Sequence, residues 1–171
     1  MALLKILEFP DPKLRQRASE VTVFDNTLKT TCEDMIETMY NAKGIGLAAI
    51  QVNILKRIVV IDLSEEKNNP LIFVNPEIIK ISVDTKQHGE GCLSVPGIYE
   101  NVTRPDSFIG KYQDLDGLEH KLEADGLLSV CLQHEIDHLN GRVFVDHLSR
   151  LKQEKIIRKL QKEKRRLLAE A

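Results

Sequence analysis

Between Asp25 and Lys43, apolar residues fall at Leu28, Cys32, Met35, Ile36 and Met39. Steps of three and four place them on one face of a helix, since 3.6 residues complete a turn. Asp25 or Asn26 can cap its start, and Gly44 follows as a stop. The period then changes. RIVVID (57–62) and LIFVNP (71–76) are short β-branched runs bounded by turn residues, which predicts strands, with SEEKNN between them as a solvated loop. SFIGKYQ (107–113) and LEHKLEA (118–124) flank DLDG, whose aspartates and Gly117 predict a hairpin turn. From Gly126 to Leu139 the helical period returns. Leu128, Leu132, Ile136 and Leu139 form its apolar face, and Asn140-Gly141 is a stop of the kind that needs a left-handed residue. Beyond it Leu148, Leu151, Ile156, Ile157, Leu160 and Leu167 trace a stripe through a final, strongly charged helix.

Strands mixed with separate helices predict an α+β fold and not a regular βαβ repeat. The expected architecture is a set of small antiparallel or mixed strands around the helix at 126–139, with a basic C-terminal helix. No internal repeat, low-complexity tract or Gly/Ser linker divides the chain. Residues 1–148 are expected to form one body, with 149–171 as a helix of the same domain.

Composition narrows the class. A chain of 171 residues with 42% hydrophobic and 29% charged residues is long enough to bury a core without a covalent staple. No apolar run approaches the ~20 residues of a membrane span. MALLKILEFPDP is too short in its apolar part, and too soon followed by prolines, for a signal peptide. Three cysteines, Cys32, Cys92 and Cys131, are an odd and sparse set that argues against a disulfide framework and for a reducing compartment. A cytoplasmic protein is expected. The net charge of −2 hides an asymmetry, because residues 149–171 carry nine Lys/Arg against three Glu, leaving −8 on residues 1–148.

The candidate chemistry lies in QHEIDH (133–138). On a helix, His134 and His138 stand one above the other, so one metal ion could bind both. Glu135, one step round from His134, is placed as a general base toward a water rather than as a ligand. The motif by itself favours a metal site over an exposed helix face that happens to carry two histidines. A third ligand is needed. The metzincin extension HExxHxxGxxH fails, because Gly141 is in place but its last position is Phe144. Glu154 and Glu163 lie downstream in the basic tail, where they look like partners for neighbouring Lys/Arg. Upstream, Glu90-Gly91-Cys92-Leu93-Ser94 offers Cys92 in a short strand expected to end at the Pro96-Gly97 turn. A lone cysteine is, by itself, most often a small buried hydrophobe.

Three segments together resemble the bacterial peptide deformylases. They are Gly44-Ile45-Gly46-Leu47-Ala48-Ala49-Ile50-Gln51, Glu90-Gly91-Cys92-Leu93-Ser94 and His134-Glu135-Ile136-Asp137-His138, in that order. The likeness runs from FPDPKLRQ to the basic C-terminal helix. It implies a metal-dependent hydrolase that removes the N-formyl group from the N-terminal methionine of newly made polypeptides and releases formate. It implies Cys92, His134 and His138 as ligands of one divalent ion, Fe2+ natively, with Zn2+, Ni2+ or Co2+ as replacements. Glu135 then serves as base and later acid, and the Gln51 side chain and the Leu93 N–H face the oxyanion. Gly46 backbone groups would pair with an extended N-formylmethionyl peptide. Ile45, Leu127 and Val130 would form the methionine pocket, although buried aliphatics fit a core equally well.

Some residues depart from the family pattern. Tyr99 stands where many relatives have arginine, so contacts to later substrate residues are expected to differ. His88 is unexpected ahead of EGCLS and is read as a rim residue, and Cys131 as pocket wall or core. His120 and His147 receive no role. A monomer is expected, without membrane attachment. The basic tail is read as a helix docked on the acidic body, with ribosome contact as its functional alternative. Two rival readings remain: a small metallopeptidase, and an RNA-binding protein with a structural metal. Both predict that Cys92→Ser leaves function intact.

Overall fold

The first helix, α1 (Asn26–Asn41), begins where Asp25, in extended backbone, accepts a hydrogen bond from the Leu28 N–H at 3.1 Å. This satisfies one of the amides that a helix start leaves unpaired. Its buried face is Leu28, Cys32, Met35, Thr38 and Met39. The left-handed residue at its end is Lys43 (φ 59) and not Gly44. Gly44 is needed for space, since a Cβ there would lie 2.6 Å from Leu93 Cδ1. The computed structural model describes residues 2–170, so Met1 and Ala171, the outer ends of the two expected segments, lie outside the described residues.

Seven strands follow the expected hydrophobic runs and add to them: β1 (Gly46–Ala48), β2 (Ile58–Ile61), β3 (Leu71–Ile81), β4 (Thr85–Cys92), β5 (Val95–Pro105), β6 (Phe108–Gln113) and β7 (Glu119–Ala124). Five form one sheet in the order β1-β2-β3-β6-β7, while β4 and β5 pair only with each other. Every ladder is antiparallel. The run IVVI in β2 is apolar throughout because both of its faces are covered. Ile58 and Val60 enter a core with Leu28, Cys32, Met35 and Met39 of α1, while Val59 and Ile61 enter a second core with Leu132 and Leu139.

Two expectations about strands are corrected. LIFVNP does not end its strand, because Asn75 takes a left-handed conformation (φ 51) where the β3–β6 register shifts between Val74 and Glu77. The bulge admits Pro76, and the strand continues to Ile81. The turn after Cys92 is Leu93-Ser94, and Pro96-Gly97 already belongs to β5. The polar β4–β5 hairpin has no apolar period to announce it.

The helix α2 (Gly126–Leu139) matches its expected bounds and stops at Gly141 (φ 78), where a Cβ would lie 2.5 Å from the Arg15 carbonyl oxygen. Ten of its 14 residues are buried, including Gln133, His134, Glu135 and His138. An ordinary surface helix leaves such polar groups in water, so their burial marks a site. In the last helix, α3 (Arg150–Glu170), only the middle of the expected stripe docks. Ile156 is buried and Ile157 and Leu160 lean on the same core, whereas Leu151 and Leu167 are more than half exposed. Residues 161–170 are exposed throughout. Among the described residues no helix is long and apolar enough to cross a membrane.

Candidate metal centre

Cys92 closes β4, and His134 and His138 stand one turn apart on α2. The separations are 3.3 Å from Cys92 Sγ to His138 Nε2 and 3.2 Å from His138 Nε2 to His134 Nε2. Metal–ligand bonds of ~2.0–2.3 Å in a tetrahedron give donor–donor edges of about 3.3–3.6 Å. The donors thus lie at nearly the spacing one ion would bridge. They are the one such cluster among the described residues, and their ligating atoms all lie within 4.8 Å of one another. Glu154 and Glu163 take no part, since they pair with Arg150 and Arg166 on α3. Phe144, at the failed metzincin position, is buried with its ring stacked 6.0 Å from that of His134.

The tautomer of His134 follows from its neighbour. Its Nδ1 lies 2.9 Å from Glu90 Oε1, so Nδ1–H donates to the carboxylate and the Nε2 lone pair faces the cluster. His138 also turns Nε2 inward, while its Nδ1 is buried without a hydrogen-bond partner. Burial opposes charge on His134, yet the Cys92 sulfur and the Glu90 carboxylate raise its pKa well above the ordinary histidine value. Burial and the neighbouring His134 hold His138 well below that value. The site therefore retains protons that a cation would displace.

Glu135 is buried beside the donors, with Oε1 3.6 Å from His134 Nε2 and Oε2 without a partner. Burial pushes its carboxyl up to about 7. Gln51, only 1% exposed, is fixed from both ends of its amide. Its Oε1 accepts from the Ala48 N–H at 2.9 Å, and its Nε2 donates to Ser94 Oγ at 3.0 Å and toward Cys92 Sγ at 3.4 Å. Both turns around the sulfur are thereby tied together.

These groups open onto a cleft of ≈ 470 Å³ whose walls include Ile45, Gly46, Leu93, Leu127 and Val130. The structure thus brings the site residues expected from the sequence together, all of them lining this cavity except His138, which lies buried behind it against Cys92 and His134. Leu127 is half exposed at its mouth and Val130 is buried. Cys131 also lines the wall but is not part of the donor cluster, and burial pushes its thiol up to about 12. Gly46 lies directly against Glu135, whose side chain would be in ordinary contact, at 3.4 Å, with a Cβ placed there. β1 is an edge strand, so the side away from β2 is open to a further strand. Tyr99 lies at the rim over Gly91, where a Cβ would meet its Cε1 at 2.4 Å. His88 is no rim residue, for it pairs with Val102 in the hairpin and does not line the cleft. His120 sits away in β7, paired with Asp114 and stacked on Tyr112.

Glu90, Arg104 and Asp137 escaped the sequence reading. Arg104 binds both oxygens of Glu90, at 2.6 and 2.9 Å, and Asp137 Oδ2 at 2.9 Å. Glu90 and Asp137 are flanking letters of the two motifs. Arg104 has no such signal, because a single arginine in a partly exposed strand reads as surface.

Residues 3–154 match the family model described as polypeptide deformylase. The chain belongs to the polypeptide deformylase family. The peptide deformylase of Pseudomonas aeruginosa is 56% identical over 165 residues, covering 96% of this chain and 98% of that one. Peptide deformylase 1 of Pseudomonas syringae pv. tomato is 55% identical over 163 residues, covering 95% and 97%. The crystal structure of a peptide deformylase from Legionella pneumophila superposes with a TM-score of 0.92 at 46% identity over 99% of both chains. The chain is thus an enzyme of the deformylase family, whose members are metal-dependent and take the formyl group from newly made polypeptides.

Proposed function

We propose that this deformylase hydrolyses the formyl amide of N-formylmethionyl peptides at one divalent cation held by Cys92 Sγ, His134 Nε2 and His138 Nε2. The observation that carries this reading is the convergence of those three donors, at bridging distances, beside a cleft lined by Cys92, His134 and the buried Glu135 carboxylate, one oxygen of which has no partner. A thiolate and two imidazoles leave a fourth position open, as catalytic sites do and structural sites do not. Bound there, the cation supplies Lewis acidity, polarising the formyl carbonyl and acidifying water. One soft and two borderline donors suit Fe2+, which we take as the native ion, and also Zn2+, Ni2+ or Co2+.

The residues supply the remainder. Glu135, with its carboxyl near 7, takes the proton of the attacking water and returns it to the amine nitrogen as the C–N bond breaks. Formate and a free N-terminus result. The Gln51 Nε2–H and the Leu93 N–H donate to the formyl oxygen as negative charge develops on it, Gln51 already being held rigidly by Ala48 and Ser94. The open edge of β1 at Gly46 receives the substrate backbone as an added strand. Ile45, Leu127 and Val130 enclose the methionine side chain.

We read α2 as the pillar around which the strands pack. Residues 1–148 and the helix at 149–171 form one domain in this reading, supported by Ile156 entering the same core as Leu132. The protein acts as a cytoplasmic monomer. The exposed basic length of α3 suits contact with the ribosome, where the substrate emerges. The test is amine release from an N-formyl-methionyl tripeptide by oxygen-free protein, with the N-acetyl peptide as control. Release from the formyl peptide alone is expected. No release from a sample holding stoichiometric metal refutes the reading.

A further inference from the structure

The polar network behind His134 does not end at Arg104. Asp137 Oδ2, which Arg104 Nη1 reaches at 2.9 Å, also lies 2.9 Å from His147 Nε2. His147 ends the short turn Phe144–His147 that follows α2, and its side chain is 32% exposed. A continuous line of contacts, each 2.6–2.9 Å, therefore runs from solvent through His147, Asp137, Arg104 and Glu90 to Nδ1 of His134. The line passes through α2 at Asp137 and returns to it at His134, three residues away.

The charges along the line show why its outer end matters. Arg104 is one buried cation between two carboxylates, so neither Glu90 nor Asp137 can be satisfied by it alone. Each has a second donor, the His134 Nδ1–H for Glu90 and the His147 imidazole for Asp137. The His147 contact is the outermost of these, meeting at 2.9 Å the same Asp137 oxygen that Arg104 reaches. Without that donor, Asp137 draws more heavily on Arg104. Arg104 can then shift only away from Glu90, whose grip on the His134 ring loosens.

We propose that His147 is a positioning residue for the reaction, fixing the His134 ring through Asp137, Arg104 and Glu90. It touches neither substrate nor donors. The inference rests on His134 being a ligand, as argued above.

The test compares wild type with His147→Ala and His147→Gln, because a glutamine Nε2 can donate where the imidazole Nε2 does. Zinc retention against a competing chelator is expected to fall about 10–100-fold in H147A. Its kcat should drop with KM for the formyl tripeptide little changed, and H147Q should recover most of both. In metal-free protein, the ring nitrogen resonances of His134 should move in H147A and return in H147Q. H147A indistinguishable from wild type in retention and in the His134 resonances overturns the proposal. Equal losses in both variants also overturn it, because packing would then be the cause. Failure of the ligand assignment shows differently: Cys92→Ser would keep the metal, while the metal-free resonances still decide the role of His147.

Discussion

Glu135→Gln removes a charge that the fold holds out of water, so the substitution should inactivate the enzyme and stabilise its metal-free form. The Glu135 carboxyl sits at about 7 against an ordinary 4.5, with burial as the leading cause. At ~1.4 kcal/mol per pK unit, that displacement corresponds to about 3 kcal/mol. Its pH dependence has a definite sign. Because the folded pKa is raised, the folded chain keeps between pH ~4.5 and ~7 a proton that the unfolded chain has released. The favourable term is present at low pH and lost as pH climbs through 7. Gln has no such titration. Urea unfolding of metal-stripped wild type and variant at pH 5 and pH 8 isolates the effect, since every other titrating group is common to both. The variant should gain about 2–3 kcal/mol relative to wild type between the two pH values. Metal-loaded E135Q should retain its ion and turn over ~10²–10⁴-fold more slowly. An offset between the two proteins that is the same at pH 5 and pH 8 would refute the assignment of Glu135 as a buried carboxyl with a raised pKa.

Arg104→Met leaves Glu90 and Asp137 buried without their shared cation and should destabilise by about 3–5 kcal/mol at pH 7.5. Pairing outweighs burial and keeps both carboxyls low, so the deficit should shrink as acid protonates them, which urea midpoints at pH 7.5 and 4.5 will show. Gln51→Ala removes one oxyanion donor and should lower kcat by about 10²–10³-fold with KM little altered, read from steady-state kinetics on the formyl tripeptide. Leu132→Ala empties a fully buried position on α2 and should destabilise by about 2–5 kcal/mol in urea while the folded fraction keeps its kcat.

The legible parts of the fold were those whose sequence period matches their burial. α1, α2 and the β6–β7 hairpin each carry an apolar face, and their expected spans agree with the structure to within two residues, although burial in α2 extends beyond that face to Gln133, His134, Glu135 and His138. Of the β4–β5 hairpin only a short strand at Cys92 was legible, because the polar run TKQHGEGC carries no apolar period. It is nevertheless the element that delivers Cys92. The extension of β3 was hidden by Asn75-Pro76, a pair that usually ends a strand and here forms a bulge. In the site, residue types with restricted chemistry stood out, namely the His134–His138 spacing and Glu135. Gln51 and Leu93 were accessible only through family likeness, since a glutamine side chain or a backbone N–H carries no local pattern. Arg104 and His147 were invisible for another reason. Their importance lies in what they touch across the fold, 33 residues from Asp137 in the one case and 10 in the other.

The charge balance of the centre links its stability to its function. Four acidic groups, Cys92, Glu90, Glu135 and Asp137, surround the two histidines, and Arg104 is the one fully buried cation among them. A low-dielectric site cannot hold that excess as bare charge, so without a cation it must retain protons. The raised positions of His134 and Glu135 are where those protons reside. A divalent ion held as proposed would take the place of the proton on His134 and favour ionisation of Glu135. The groups whose burial costs the fold stability are thus the groups to which the proposed mechanism assigns the chemistry. The sequence places them on α2 and at the end of β4 because only a helix packed on several sides, and a hairpin pinned to it by Arg104, can keep so many polar atoms away from water and in register.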